Sequence, residues 1–339
     1  MVRVLIVDDS PTVRAVLRRL LASHADLQVA GEATNGQEAV DLVLKLRPDV
    51  VLTDVEMPVM NGLDAIGRIM EMRPTPILVI TSRATRDRLA VAFEAVRRGA
   101  LEVLPKPEAP EGWKELAQRL PELVRTAAGL PAHRPVLKSP RRLPRIAPRV
   151  VEWILLGAST GGPGALRAFL AALPPAVQVP ILVVQHIAPG FEEGLAHWLA
   201  RETGRDVRVA ESREQLKPGA VRLAPANAHL RLAADGTLEV DTETPPRQGH
   251  RPSVDVLFES TLALRPAHVV AVLFSGMGSD GASGLLQLKR AGAVTAVQDE
   301  ASSAVFGMPK QALELGATEV ALPPEELAHF VAVTCGEEG

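Results

Sequence analysis

Short apolar runs recur along the first part of the chain: Val4–Val7, Val29–Ala30, Val50–Leu52, Ile77–Ile80 and Leu101–Leu104. They lack the polar alternation of half-exposed strands, so they read as parallel strands covered on both faces. After the first run, Val13, Val16, Leu17, Leu20 and Leu21 recur at three- and four-residue spacing, the mark of a helix with one buried stripe. The repeated strand–helix pattern predicts a doubly wound α/β domain over residues 1–127. A second series begins near Val151, with strand-like runs at Trp153–Leu156, Ile181–Val184, Val207–Val209, Val221–Leu223, Val269–Phe274 and Val294–Val297. Helical stretches such as Gly164–Leu173 and Gly281–Ala291 separate them. His229–Val240, around an Asp235-Gly236 turn, reads as a small hairpin insert. Residues 151–339 thus predict a second doubly wound parallel-sheet domain.

Between the two series the pattern disappears. Residues 131–149 hold five prolines and six Lys/Arg with no acid, so 128–150 reads as a semi-extended interdomain linker. A basic run can also bind nucleic acid, but the prolines break any continuous basic helix, and a solvated tether is the simpler reading. The rest of the composition points the same way. A net charge of −3 gives no pull toward nucleic acid or anionic membrane, and the absence of tyrosine removes much of what a base-stacking surface would need. Asp8 and Asp9 come early and no apolar stretch of signal-peptide or membrane-spanning length is found, so neither a leader nor membrane insertion is expected. The single cysteine, Cys335, cannot form an internal disulfide, which fits a cytoplasmic location. Cys335 sits in a C-terminal tail expected to fray, which argues against a role as nucleophile.

Candidate chemistry clusters at strand ends. Asp8 and Asp9 close the first strand, Asp54 the third, Thr81 ends the fourth, and Lys106 follows the fifth. In an open parallel sheet the ligand crevice lies at the carboxyl ends of strands, where the strand order reverses. Three carboxylates there repel one another unless a cation intervenes, and all-oxygen ligands suit Mg²⁺. A lysine and a hydroxyl beside them can meet the oxygens of a phosphoryl group. An isolated Asp at a strand end is more often a helix cap, and Asp8 can also influence the next helix. VDDSPTVR, LTDVEMPVMNG, ITS and LPKP, in this order, resemble the receiver domain of two-component response regulators, a flavodoxin-like fold. The resemblance implies that Asp54 accepts phosphate, that Asp9 and Asp54 bind Mg²⁺ with support from Asp8, and that Lys106 and Thr81 contact the phosphoryl group. The phosphodonor it implies is a chemotaxis histidine kinase.

In the second series, the strand ending at Leu156 runs into GASTGG and then a helix, a G-x-S-x-G match centred on Ser159. Alone the match is weak: the same turn can cradle a dinucleotide phosphate, or the serine can cap a helix. Of the eight histidines, only His186 directly follows a buried-looking strand, ILVVQ, of the same sheet. Asp280, in SGMGSDG, follows another strand; it can orient a histidine or merely cap the helix after it. The order Ser…His…Asp differs from that of α/β-hydrolases. GASTGGPGAL, VQHIAPGF, HRPSVDVLFES, SGMGSDGASGL and QDEASSAVFGMPKQALELGA resemble the catalytic domain of chemotaxis protein-glutamate methylesterases. That resemblance implies a Rossmann-like domain with Ser159 as nucleophile, His186 as general base and acid, and Asp280 as orienter. It further implies an oxyanion site that includes the Met277 N–H, with assistance from Thr160, methylated chemoreceptors as substrate, a glutamine deamidase activity, and no cofactor for the ester chemistry. One segment departs from the family pattern: Pro225-Ala226-Asn227, within APANAHLRL at Ala224–Leu232, stands where a glycine-containing turn is expected. Two rival readings are a receiver-controlled dinucleotide-binding module and a DNA-binding regulator. The second needs a basic helix-turn-helix after the linker, and the sequence contains none.

Overall fold

The structure, a computed structural model, describes residues 1–82, 86–130 and 148–337. The expected linker lies, but for its ends, outside the described residues. The chain divides into two compact units, residues 1–134 and 135–339.

In the first unit β1 (Val2–Val7), α1 (Pro11–Ala22), β2 (Leu27–Ala33), α2 (Gly36–Leu46), β3 (Val50–Thr53), α3 (Gly62–Met72), β4 (Ile77–Ser82), α4 (Arg86–Arg97), β5 (Glu102–Lys106) and α5 (Pro110–Ala128) alternate without exception. The five strands pair in parallel in the order β2-β1-β3-β4-β5. Val4, Leu5, Ile6 and Val7 are all buried, as expected of a central strand covered by helices on both faces. Side chains that accept from the first turn start the helices: Ser10 from the Val13 N–H, Asn35 from Glu38 and Asn61 from Asp64. β2 is much longer than its two-residue apolar run because it lies at the sheet edge, where Gln28 and Glu32 can reach solvent. β4 and β5 also run further than their apolar runs: Lys106 is the last residue of β5 and pairs with Ser82, while Thr81 is the next-to-last residue of β4. Lys106 therefore does not follow the fifth strand, as the sequence suggested, but closes it.

The second unit contains β6 (Trp153–Ala158), α6 (Gly162–Ala172), β7 (Ile181–Gln185), α7 (Glu192–Thr203), β8 (Val207–Val209), β9 (Val221–Leu223), β10 (His229–Leu232), β11 (Leu238–Asp241), α8 (Val254–Ser260), β12 (Val269–Leu273), α9 (Ala282–Arg290), β13 (Val294–Gln298), α10 (Met308–Glu314), β14 (Ala321–Leu322) and α11 (Pro324–Thr334). Seven strands form one parallel sheet, ordered β14-β13-β12-β6-β7-β9-β8, while β10 and β11 pair antiparallel as a separate hairpin. The order reverses at β6, which has β7 on one side and β12 on the other. That reversal places the ends of three central strands side by side, at the crevice where α/β sheets bind ligands.

Two local expectations change. The tail at Cys335 is not frayed: Cys335 caps α11, its N–H donates to Val331 O at 3.0 Å, and burial pushes its thiol pKa up to about 11. In the departing segment Asn227 has φ +60°, so asparagine supplies the left-handed turn residue expected of a glycine. No helix among the described residues is long and apolar enough to cross a membrane.

Candidate active site

The turn from β6 into α6 is built on close approaches. A Cβ at Gly157 would fall 2.3 Å from Val254 Cγ1, so only glycine lets α8 pack directly on the end of β6. Gly161 reverses the chain at φ +77° and caps α6 with no side-chain bond, so the Ser159 hydroxyl is not the helix cap. The backbone of Ser159 is fixed on both sides: its N–H donates to Ser275 O at 2.9 Å, and its carbonyl accepts from Gly162 N at 2.8 Å. The Gln185 carboxamide donates from Nε2 to Ser159 O at 2.8 Å and to His186 O at 2.9 Å, joining the two residues at the ends of adjacent strands. Both Ser159 and His186 are largely buried, each 9% exposed.

His186 Nε2 lies 2.8 Å from Asp280 Oδ2. Since Asp280 is ionised, Nε2 carries the proton and Nδ1 carries the lone pair. Nδ1 is buried and has no hydrogen-bond partner among the described residues, so the nitrogen facing away from the carboxylate is the one available as base. Asp280 does not cap α9, whose cap is Gly281 with no side-chain bond. It accepts instead from the start of α8, from Val254 N at 2.7 Å, Asp255 N at 3.1 Å and Ser253 Oγ at 2.7 Å. Burial alone would raise the Asp280 pKa, but the hydrogen bond from His186, with the Val254 and Ser253 donors, outweighs it and holds it at about 2. The neighbouring Asp255 goes the other way: burial, with the Asp280 charge adding, pushes its pKa up to about 6 despite the bond from Gly284 N.

Across the crevice, the loop after β12 presses on the nucleophile turn. A Cβ at Gly276 would lie 2.7 Å from Ser159 Cβ, and the half-buried Met277 follows Gly276 in the chain. Ser275 Oγ donates to Thr160 O at 2.7 Å and accepts from Val305 N at 2.8 Å, and Ser275 N donates to Gln298 Oε1 at 2.8 Å. Thr160 itself is buried. Several of these groups escaped the sequence reading, notably Ser253, Asp255, Gln185 and His229. His229 Nδ1 accepts from Ser253 N at 3.2 Å and its Nε2 donates to Pro245 O at 3.1 Å. Burial lowers the His229 pKa and keeps this strut neutral. The HRPSVDVLFES motif held the signal for Ser253 and Asp255, but nothing in it says that they face Asp280.

In the first unit the sheet reversal lies between β1 and β3, and it brings Asp8, Asp9 and Asp54 together with one oxygen from each within 4.8 Å of the others. Asp8 and Asp54 are buried and Asp9 is exposed. Lys106 Nζ contacts Asp8 Oδ2 at 2.7 Å and also bonds Asp54 Oδ2. Burial raises the Asp8 pKa and the lysine only partly offsets it; in Lys106, bonds to both carboxylates outweigh burial and raise the pKa. One lysine cannot neutralise three carboxylates, so the all-oxygen set fits a hard divalent cation. Asp54 Oδ1 accepts from Val55 N at 2.6 Å, and Gly62 gives room for Asp54 O, which a Cβ there would meet at 2.0 Å. A cleft of about 680 Å³ beside the cluster is lined by residues that include Asp9, Glu56, Asn61 and Thr81. Asp8 also accepts from Ser10 N at 2.9 Å, which ties it to the start of α1.

Residues 154–331 match the family described as CheB methylesterase, and residues 4–118 match the response regulator receiver domain. The chain belongs to the CheB methylesterase family. It is 41% identical over 96% of its length to protein-glutamate methylesterase/protein-glutamine glutaminase 4 of Geobacter metallireducens, covering 97% of that protein. It is 42% identical over 98% of its length to a protein of the same name, numbered 3, from Anaeromyxobacter dehalogenans, covering 99% of it. The crystal structure of the Thermotoga maritima CheB methylesterase catalytic domain aligns with 53% of the chain and 96% of that domain at 34% identity and a TM-score of 0.51. CheB membership leaves the dinucleotide-binding alternative without support, and the geometry agrees. Gly162, the glycine a pyrophosphate would need to approach, has Gln185 Oε1 packed where its Cβ would stand.

Proposed function

We propose that this CheB-family chain is a phosphorylation-regulated protein-glutamate methylesterase that hydrolyses glutamyl methyl esters on chemoreceptors and deamidates glutamines at such sites. The observation that carries the reading is the polarity of His186, with Nε2–H on Asp280 and the Nδ1 lone pair buried, unpartnered and at the end of the strand beside Ser159. Ser159 Oγ attacks the ester carbonyl while His186 Nδ1 takes its proton. Asp280 holds the tautomer and steadies the imidazolium without itself being protonated. The Met277 N–H is one donor to the tetrahedral oxyanion, such donors being worth ~2.7–4 kcal/mol each. His186 returns the proton to the leaving methanol, and water then cleaves the acyl-enzyme by the same path reversed. A glutamine differs only in releasing ammonia. Thr160 assists by holding the turn on which Ser159 stands. These side chains and N–H groups supply the whole of the ester chemistry, with no cofactor.

For the receiver half, Asp54 is the phosphate acceptor. Mg²⁺ held by Asp9 and Asp54, with Asp8 in support, would neutralise charge between carboxylate and phosphodonor. Lys106 then pairs with the phosphoryl oxygens in place of its present carboxylates, and Thr81 turns toward them. The reading takes residues 1–127 as receiver, 128–150 as linker and 151–339 as esterase. It places the protein in the cytoplasm, with a histidine kinase as phosphodonor and no nucleic-acid partner. The test is methanol release from methylated receptor fragments by the full chain, with and without acetyl phosphate and Mg²⁺. Release that depends on Ser159 and rises with the phosphodonor supports the reading; no release under either condition overturns it.

A further inference from the structure

A second imidazole lies flat on His186. The rings of His186 and His250 are stacked with centroids 3.9 Å apart and an interplanar angle of 3°. His250 ends a tight turn closed by paired backbone bonds, Arg247 N to His250 O at 3.0 Å and His250 N to Arg247 O at 2.9 Å. Gln248 and Gly249, at φ +50° and +83°, make the reversal. The turn is anchored to the elements that hold Asp280. Arg247 forms a two-pronged bond to Glu259 of α8, with Nη2 at 2.8 Å from Oε1 and Nη1 on Oε2. Gln248 accepts from Ser279 Oγ at 3.1 Å, and its Nε2 lies 3.4 Å from Asp255 Oδ2. Below it, the buried His229 holds Pro245 O and the Ser253 N–H.

We propose that His250 is a positioning residue for the ester hydrolysis, a flat plate that sets the plane of the His186 ring. The proposal rests on His186 being the base. The Asp280 bond fixes one atom of the imidazole, and a ring held at one atom can still tilt about that point. Tilting swings Nδ1, the ring nitrogen left without a partner among the described residues, out of the direction it must keep to take the serine proton. A parallel ring at van der Waals separation removes that freedom, because stacked aromatic surfaces lose contact when they tilt. The turn that carries the plate and the helix that carries the carboxylate's donors are cross-linked by Arg247 and Gln248, so both restraints on His186 move as one body. The hairpin β10–β11 thereby acquires a purpose, since His229 on β10 is the strut beneath the turn.

The experiment compares His250→Ala, His250→Leu and His250→Phe in the full chain, reading kcat and KM for methanol release. A second reading is the rate at which phenylmethanesulfonyl fluoride labels Ser159. Misplacement of a catalytic group by about 1 Å costs on the order of 10²-fold. Alanine and leucine should therefore lower kcat by roughly tenfold to a hundredfold with KM within about twofold, and slow labelling by a similar factor. Phenylalanine, which restores a flat face without the imidazole nitrogens, should recover most of both. If alanine loosens the fold, the comparison of leucine with phenylalanine still decides, since both fill the space and only one is planar. Wild-type kcat and labelling in the alanine variant would overturn the proposal, as would a phenylalanine variant no faster than leucine. His186→Ala keeps the two ideas separate: undiminished labelling there removes His186 as base, whatever His250 does.

Discussion

At the scale of single residues, the catalytic reading depends on proton placement. Ser159→Ala should reduce methanol release by a factor on the order of 10⁶ and Asp280→Asn by roughly 10⁴, the second because the wrong tautomer then faces the serine. Circular dichroism melts should show both variants folded. Near-wild-type turnover in either would remove that residue from the mechanism. The two neighbouring buried aspartates should show opposite pH signatures. Asp280, lowered from 3.8 to about 2, contributes stability that is present above about pH 4 and lost as pH falls toward 2. Asp255, raised from 3.8 to about 6, is the reverse: its contribution is complete below about pH 4 and lost as pH rises through 6. Asp255→Asn should therefore gain on wild type in melting temperature between pH 4 and pH 7, and a flat difference across that range would contradict its raised pKa. Ser159, His186 and Asp280 were legible as candidates because each sits where a strand ends. Which imidazole nitrogen serves which partner was not legible, because that depends on the direction from which Asp280 approaches.

At the scale of elements, α8 matters most and left the weakest trace in the sequence. Its seven residues are too few for a helical period to emerge, yet its first turn supplies Ser253 Oγ, Val254 N and Asp255 N to Asp280. Ser253→Ala removes one donor to Asp280 and the bond that caps α8 through Val256 N. The expected result is a loss of about 1 kcal/mol in unfolding free energy together with a several-fold fall in kcat. Loss of stability with unchanged turnover would make Ser253 a cap alone. Gly276→Ala should be far worse for turnover than for binding, because its Cβ would strike Ser159 Cβ and Met308 Sδ. Measuring KM beside kcat checks this. The hairpin at β10–β11 was visible through its Asp-Gly turn, whereas β14, with two residues at a sheet edge, was not. Asn227 shows why a motif can change its letters and keep its shape: the turn requires a left-handed residue, and asparagine is among those that accept it.

At the scale of the whole molecule, regulation follows from two sites on one chain. Acetyl phosphate with Mg²⁺ should label Asp54 as an acyl phosphate, and Asp54→Asn should abolish labelling; labelling that ignores the metal would count against the acidic cluster as its site. If the receiver restrains the esterase, residues 148–339 alone should outpace the unphosphorylated full chain and ignore the phosphodonor. The fragment starts at 148 because the Arg149 N–H is bonded to Thr334 O at 2.8 Å. Shifting a closed form from about 99:1 to about 1:99 requires about 5.5 kcal/mol of differential affinity, so a weaker coupling would appear as partial activation. Equal basal rates would remove inhibition and leave the receiver as a docking or activating element only. The sequence by itself determined the alternation of strands and helices, the placing of each reactive residue at a strand's carboxyl end, and the motifs that tie both halves to known families. Those features are local, set by side-chain period and turn chemistry within a few residues. Only the tertiary structure decided that β12 returns beside β6, bringing Asp280 to a histidine 94 positions earlier in the chain. It also decided that α8 caps that carboxylate and that His250 lies on His186, because contacts between distant segments are chosen by how whole faces pack, and no local pattern records them.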